Sequence, residues 1–541
     1  MAPPPRLFRY WRIKLESVQA NITALDIAVI VGYLLVVLVI GIWVSVRTKT
    51  GEDLFLGGRS LAWGAIGFSL FASNISTTTI IGLTGSAYAT GIASSAFEWM
   101  SGIPLLMLAF IFAPLYLKAK VTTTPEWLDC RYSRRVRLYF SALTIFFTVV
   151  VETAGGLYAG GVVLTTFFPD VPLWASCLAI GMFAGGYAAS GGLKAVVYTD
   201  VLQAIILLVG CSITAFLMFR SLDFSWTAVR DALPEGHLDL VKPIDDPSLP
   251  WPGLFLGVWM LGFWYWVTNQ YVVQRVLGAR SLQDAQRGAL LGGLLKCVPL
   301  FIMVLPGAMA VPLLPDLPEQ DMVFPVMITQ ILPAGLTGLV LAGLVAAIMS
   351  TVDSTLNSSS TLVVHDFITK PAESVEPTMA RKYGSICTLV FMIMAVLVAP
   401  LIQYAGGIWS YLQQAFSIIV PPIVAIYFLG AVSRRVSERS AFATLITMHA
   451  LGVVLFALGQ TGVWPLHYTV TAGVMTIASC LLHLSLSATV YPSREAPEEM
   501  LIWKPAAAFS KADGTTSGLL DVRLWGLVLL AMMAAILFAF W

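Results

Sequence analysis

Residues 70–101 read LFASNISTTTIIGLTGSAYATGIASSAFEWMS. The stretch is long enough to cross a bilayer, yet its middle is Ser-Asn-Ile-Ser-Thr-Thr-Thr and it closes on a bare carboxylate, Glu98. Hydrocarbon penalises every unpaired polar group, so hydroxyls, an amide and glycines gather here only around something polar held at membrane depth. An apolar helix interrupted in this way points to a ligand or ion site within a membrane carrier.

The rest of the chain agrees. It is 58% hydrophobic and 11% charged over 541 residues, which excludes soluble and disordered classes. A window of about 20 residues per helix finds fourteen apolar segments: 24–46, 61–90, 97–118, 138–168, 172–189, 196–219, 252–276, 288–313, 333–366, 384–404, 408–431, 440–460, 467–488 and 523–541. The expectation is an all-α membrane protein of about 14 transmembrane helices. Segments 61–90 and 333–366 are too long for a perpendicular span and are expected to tilt, break or run into water. Of 31 Lys and Arg residues, 23 fall in the loops after odd-numbered segments, 7 on the other side, and Lys296 lies inside a segment. The positive-inside rule then places the odd loops in the cytoplasm and both termini outside, against a local hint from the basic N-terminal tail. The acidic loop 220–250 suits the outer face. Residues 1–23 lack the apolar core of a cleavable leader, so a multi-pass protein of the cell membrane is expected. Six scattered cysteines show no CxxC or zinc spacing and read as unpaired apolar fillers. A Walker loop is absent, which argues against direct coupling to ATP.

Seven strings carry a resemblance: FLGGRSLAWGAIGFSLFASNIS (55–76), FEWMSG (97–102), TTTPEWLDCRYS (122–133), GGLKAVVYTDVLQ (191–203), FWYWVTNQYVVQRVL (263–277), AAIMSTVDSTLNS (346–358) and YLQQAFSIIVPPI (411–423). From about residue 52 to 436 the chain resembles the sodium:solute symporter family, nearest its sodium/glucose cotransporter branch. The resemblance implies two inverted five-helix repeats, at 61–219 and 252–431, with discontinuous first helices in each. A peripheral helix (24–46) would precede them after an N-terminal tail (1–23). Three peripheral helices would follow (440–541), with a cytoplasmic loop at 489–522.

Sodium is a small, hard ion that unwound backbone and hydroxyls can surround without a fixed charge. Ala347, Ser350, Thr351 and Ser354 fall at offsets 0, 3, 4 and 7, on one helical face. The resemblance implies a main sodium site of backbone oxygens from Ala72, Ile75 and Ala347 with the hydroxyls of Ser350 and Thr351. The bland alternative is that these hydroxyls bond their own helix. Asp200 is either part of a second cation site or inner gate, with Arg275 as partner, or a helix-capping residue. Asp353 departs from the family pattern. With Ser354 it could belong to a second cation site, carry a proton, or face a polar crevice.

For the solute, the resemblance supplies Asn74, Glu98, Ser101, Lys296 and Gln413, with Tyr265 as an inner aromatic gate, Trp264 beside it, and Trp409 as an outer lid. Glu98 accepts and Lys296 only donates, a combination suited to a neutral polyol. The two could equally be a structural ion pair. Thr79, Phe97 and Gly262 depart from the sugar carriers, each with a shorter or less polar arm, which leaves the preferred sugar open. Glu152 has no transferable role and either pairs with Lys296 or lines the vestibule. His365 and Asp366 read as the cap of the ninth segment. The expected function is sodium-coupled import of a sugar or related polyol, with Na+ as coupling ion. Neither an organic cofactor, a nucleic-acid partner nor an enzymatic activity is expected. Transport of another small solute by sodium or protons, or solute sensing, remains the alternative.

Overall fold

A chain removed from water satisfies its backbone N–H and C=O groups within each segment, which favours helices. The computed structural model describes residues 23–45, 56–167, 170–187, 193–315, 317, 319–368, 377–405, 408–492, 498–506 and 521–541. Among the described residues the regular elements are helices, joined by two isolated β-bridges, Leu61 to Ala279 and Lys242 to Pro250. Ten helices are long and apolar enough to cross a membrane, eleven when the bent pair Trp63–Asn74 and Thr77–Thr90 counts as one span. Ala24–Ser45 and Leu173–Tyr187 are further apolar helices. The tail 1–22 and, in the loop 489–522, residues 493–497 and 507–520 lie outside the described residues.

The over-long segment 61–90 breaks, with a bend of 58° between its halves. Ile75 leaves the helical region at ψ 65°, and Ser76, extended at ψ 167°, caps the second half by accepting from Thr79 N at 3.3 Å. Serine favours such caps because its hydroxyl competes with the backbone for donors. The helical ladder runs to Ile75 N on Phe71 O and resumes with Ile80 N on Ser76 O. Of the carbonyls skipped, that of Ser73 accepts from the Tyr265 hydroxyl at 2.9 Å and that of Asn74 from the Thr79 hydroxyl at 2.6 Å. Among the described residues no donor reaches the carbonyls of Ala72 and Ile75.

The segment expected at 333–366 extends instead of breaking. Leu336–Leu362 continues through a wide π turn, Val363–Ile368, about 50 Å in all at 1.5 Å per residue. That exceeds the roughly 30 Å hydrocarbon core. At its end Asp366 does not act as a cap. It is buried and accepts from Arg137 Nη2 at 2.6 Å and from the Ser141 hydroxyl, while Arg137 also donates to Asp129 at 3.1 Å. A buried carboxylate needs such partners, and the wide turn carries it away from the free backbone groups a cap would serve. The side chain of His365 lies outside the described ones. The expected segment 252–276 breaks at Asn269, extended at φ −69° and ψ 122°, between Trp264–Thr268 and Gln270–Leu277.

Close helix contacts are made where a side chain is missing, as membrane packing requires. A Cβ on Gly307 would sit 2.4 Å from Thr84 O, so the Leu305–Leu313 helix lies directly on Thr77–Thr90. Gly307→Ala is therefore expected to destabilise the purified protein by about 1–3 kcal/mol. Gly384→Ala, where no atom lies within 4 Å, is expected to leave the thermal midpoint in place. Equal midpoints for the two variants would contradict this packing. Large apolar side chains such as Leu397, Leu527 and Phe538 point outward, while the Lys296–Glu98 and Arg275–Asp200 pairs are buried. That distribution suits a lipid-facing exterior around a polar centre.

Candidate functional site

The break at residues 75–76 opens onto a cavity of about 730 Å³, mouth included, within the roughly 300–1,000 Å³ of small-molecule sites. Asn74, Thr79, Phe97, Glu98 and Ser101 line it from the first break and the turn that follows. Gly262 and Tyr265 line it from the second broken helix, Thr351 from Leu336–Leu362, and Trp409 and Gln413 from Ile408–Val432. Four regions far apart in sequence thus meet at one space.

Lys296 lies behind this lining, fully buried, and donates to Asn74 Oδ1 and Glu98 Oε2. Its Nζ also stands 5.6 Å from the ring centre of Trp266. The ion pair therefore presets the Glu98 carboxylate. Among the described residues no donor reaches Glu98 Oε1, and none hydrogen-bonds the amide of Gln413. Thr79 spends its proton on Asn74 O and Ser101 spends its own on Phe97 O at 2.8 Å. Phe97 meets Trp409 edge to face at 5.5 Å. Tyr265 is held by its bond to Ser73 O and packs at right angles on Tyr271, 5.8 Å between centres. A side chain at Gly262 would press on Pro104 at 3.3 Å, so the missing Cβ keeps that side of the cavity open.

Trp264 is not among the cavity's lining residues. It is fully buried against Phe140, 5.8 Å between centres, and Trp266 lines the cavity instead. The lining positions 258, 261, 262, 265 and 266 follow the 0, 3, 4, 7, 8 spacing of one helical face, from which residue 264 is excluded. That spacing was the signal available in the sequence. Tyr271, Ser76 and Thr78 also line the cavity without having been anticipated. Glu152 does not pair with Lys296; it accepts from Asn269 Nδ2 at 3.0 Å and lines the cavity.

On the ion side, Thr77 Oγ1 donates to Leu344 O at 3.0 Å, which ties the broken helix to Leu336–Leu362 one turn before Ala347. The unoccupied carbonyls of Ala72 and Ile75 flank this tie. The side chains of Ser350 and Asp353 lie outside the described ones, and Ser354 stands one turn beyond Ser350, off the cavity lining. Asp200 is two turns inside Leu193–Arg220, where no free N–H groups remain, so it is not a helix cap. Its Oδ2 accepts from Arg275 Nη2 at 2.9 Å, Ser69 at 2.7 Å and Ser73 at 3.3 Å. Arg275 Nε also donates to Ser69 Oγ at 2.7 Å, so this cluster locks the first half of the broken helix to the second broken segment.

Outside the membrane-spanning helices, Asp321 fixes the start of Ile408–Val432. Its carboxylate accepts from Ile408 N at 3.1 Å and from the Tyr158 hydroxyl at 3.3 Å. Burial pushes this carboxyl up to about 6, although both bonds favour the charged form.

A family model described as the sodium:solute symporter family matches residues 54–447. Sodium/glucose cotransporter 1 of Sus scrofa is 30% identical over 537 residues, 89% of this chain and 81% of that protein. Sodium/myo-inositol cotransporter 2 of Homo sapiens is 34% identical over 485 residues, 81% of this chain and 71% of that protein. Among solved structures, an outward-open, substrate-bound Na+-coupled sialic acid symporter superposes with a TM-score of 0.75 at 22% identity, covering 87% of this chain and 99% of that one. The inward-facing structure of Mhp1 superposes at 0.51 and 15% identity, covering 80% and 92%. Fold, cavity and sequence match over most of the length, and the chain belongs to the sodium:solute symporter family, a family of transporters.

Proposed function

We propose that this chain is a sodium-coupled symporter importing a neutral sugar or related polyol by alternating access across the cell membrane. The observation that carries the reading is the cavity at the helix break, where Glu98, its charge matched by Lys296, stands with Gln413 among aromatic walls. A neutral solute with several hydroxyls suits open acceptors and an open amide. A free carboxylate on the solute would meet Glu98, with Lys296 already engaged. Relatives named for glucose and myo-inositol support the same class.

Sodium would be held by the carbonyls of Ala72, Ile75 and Ala347 and the hydroxyls of Ser350 and Thr351. The support is the pair of carbonyls without donors beside the Thr77–Leu344 tie. Asp200, with Asp353 and Ser354, would serve a second cation site or the inner gate. Binding of sodium stabilises the state that accepts the solute, and this difference in affinity between states couples the two fluxes. The membrane potential adds about 2.3 kcal/mol per charge per 100 mV. Solute contacts would come from Asn74, Glu98, Ser101 and Gln413, with Tyr265 and Trp409 as inner and outer aromatic gates. The reading includes fourteen spans, inverted repeats at 61–219 and 252–431, peripheral helices at 24–46 and 440–541, and both termini outside.

The test is purified protein in liposomes under an imposed sodium gradient, screened with glucose, galactose, mannose and myo-inositol. Accumulation of at least one, abolished when choline replaces sodium, is the expected result. Accumulation that persists in choline at constant pH and voltage, or that follows only a proton gradient, would overturn it.

A further inference from the structure

Glu152 lies on the wide turn Thr148–Thr153, lines the cavity and is nine-tenths buried. Its Oε1 accepts from Asn269 Nδ2 at 3.0 Å. Among the described residues its other oxygen, Oε2, and the amide oxygen of Asn269, Oδ1, are both buried without a hydrogen-bond partner. Two orphaned acceptors on two side chains that already share a bond are costly, and a charged one the more so.

The neighbouring elements supply no cation. From the second broken segment Tyr265 and Tyr271 stand near it, and Arg275 is committed to Asp200, Ser69 and Tyr271 O. Lys296 is committed to Glu98 and Asn74. Tyr411 of Ile408–Val432 donates to Val150 O at 2.9 Å. From Leu336–Leu362 the Thr355 hydroxyl meets Thr153 at 2.9 Å, and the side chain of Asp353 lies outside the described ones. On Arg134–Phe147 the residues Arg134, Arg135 and Tyr139 belong to the end remote from Glu152, and Arg137 is held there by Asp366 and Asp129. Tyr158 of the following helix bonds Asp321, and Pro377–Val398 adds Tyr383 and Cys387, neither of them a cation.

One proton answers both deficits. A carboxylic acid and a primary amide can each donate once and accept once, so Oε2–H donating to Asn269 Oδ1 closes a ring of two hydrogen bonds. Asn269 is also the residue at which the helix breaks. We propose that the Glu152–Asn269 pair is a proton-binding site in the wall of the cavity, and that its occupancy holds the break at Asn269 in the form described here. Only the consequence for uptake rests on the symport reading.

Infrared difference spectroscopy on the purified protein tests the site without transport. Wild type is expected to show a protonated-carboxyl C=O band at neutral pH that is missing in Glu152→Gln, shifted in Asn269→Ala, and titrated away on the alkaline side. Identical carboxyl bands in wild type and both variants from about pH 5 to about pH 9 would overturn the proposal. Should Glu152→Gln fail to fold, the Asn269→Ala shift decides alone. In liposomes, sodium-driven uptake is expected to fall about ten-fold on the alkaline limb in wild type and to stay level there in Glu152→Gln. An alkaline limb kept by Glu152→Gln would remove the proposed link to the break. A band that behaves as expected in a protein that transports none of the solutes tried would uphold the proton site and reject the symport reading.

Discussion

Lys296→Met is expected to cost about 3–5 kcal/mol of stability, because it strands Glu98 as a buried charge. Lys296 and Glu98 are each almost fully buried, and Lys296 also holds Asn74 at the helix break. The single variant should therefore lose thermal midpoint and uptake together. The informative partner is the double variant Lys296→Met with Glu98→Gln, which removes both charges. Replacing a whole buried pair by neutral groups of similar volume is often close to neutral for stability. If the pair serves the solute, the double variant should recover its midpoint and still fail to accumulate sugar. Recovery of both properties would reduce the pair to a structural device. A wild-type midpoint in the single variant would mean that the buried pair is not what holds the break.

Removing the hydroxyls of Ser350 and Thr351 together, by alanine at both positions, is expected to lower sodium-driven uptake at least about ten-fold. That corresponds to a loss of roughly 1.4 kcal/mol or more in sodium binding. Both residues are on the Leu336–Leu362 helix that Thr77 ties to the break, and Thr351 reaches the cavity. Hydroxyl-to-methyl changes on a membrane helix are small in volume, so folding should survive and the thermal midpoint serves as the control. Sodium dependence identical to wild type, measured as uptake against sodium concentration at fixed voltage, would refute the assigned ion site.

Much of this molecule could be read before any coordinates. Hydropathy alone placed helices where the structure has them, because a backbone in hydrocarbon must close its own hydrogen bonds. The polar run around Asn74 announced the break, since Ser76 prefers to cap a helix and the carbonyls of 72–75 can be served by side chains and ions. Arg275 was named as the partner of Asp200, and the two do meet. The errors have a common origin. Trp264 was placed at the cavity and Trp266 in the packing, where one step along the helix turns a side chain by about 100°. Asp200 was weighed as a cap because the helix start seemed nearer than it is. Asp366 was read from its place at the end of a segment, while its partners Arg137 and Ser141 lie on another helix.

The sequence by itself thus determined the helical class, the membrane setting, the position of the first break and the polar residue types available there. Those properties follow from local backbone hydrogen bonding and from the cost of polar groups in lipid, both of which act along the chain. Only the tertiary structure decided which face of each helix looks into the cavity, that Lys296 holds Asn74 and Glu98, and that Glu152 finds Asn269. These contacts join residues more than a hundred positions apart. They are set by how helices pack at gaps such as Gly307, which no local periodicity encodes.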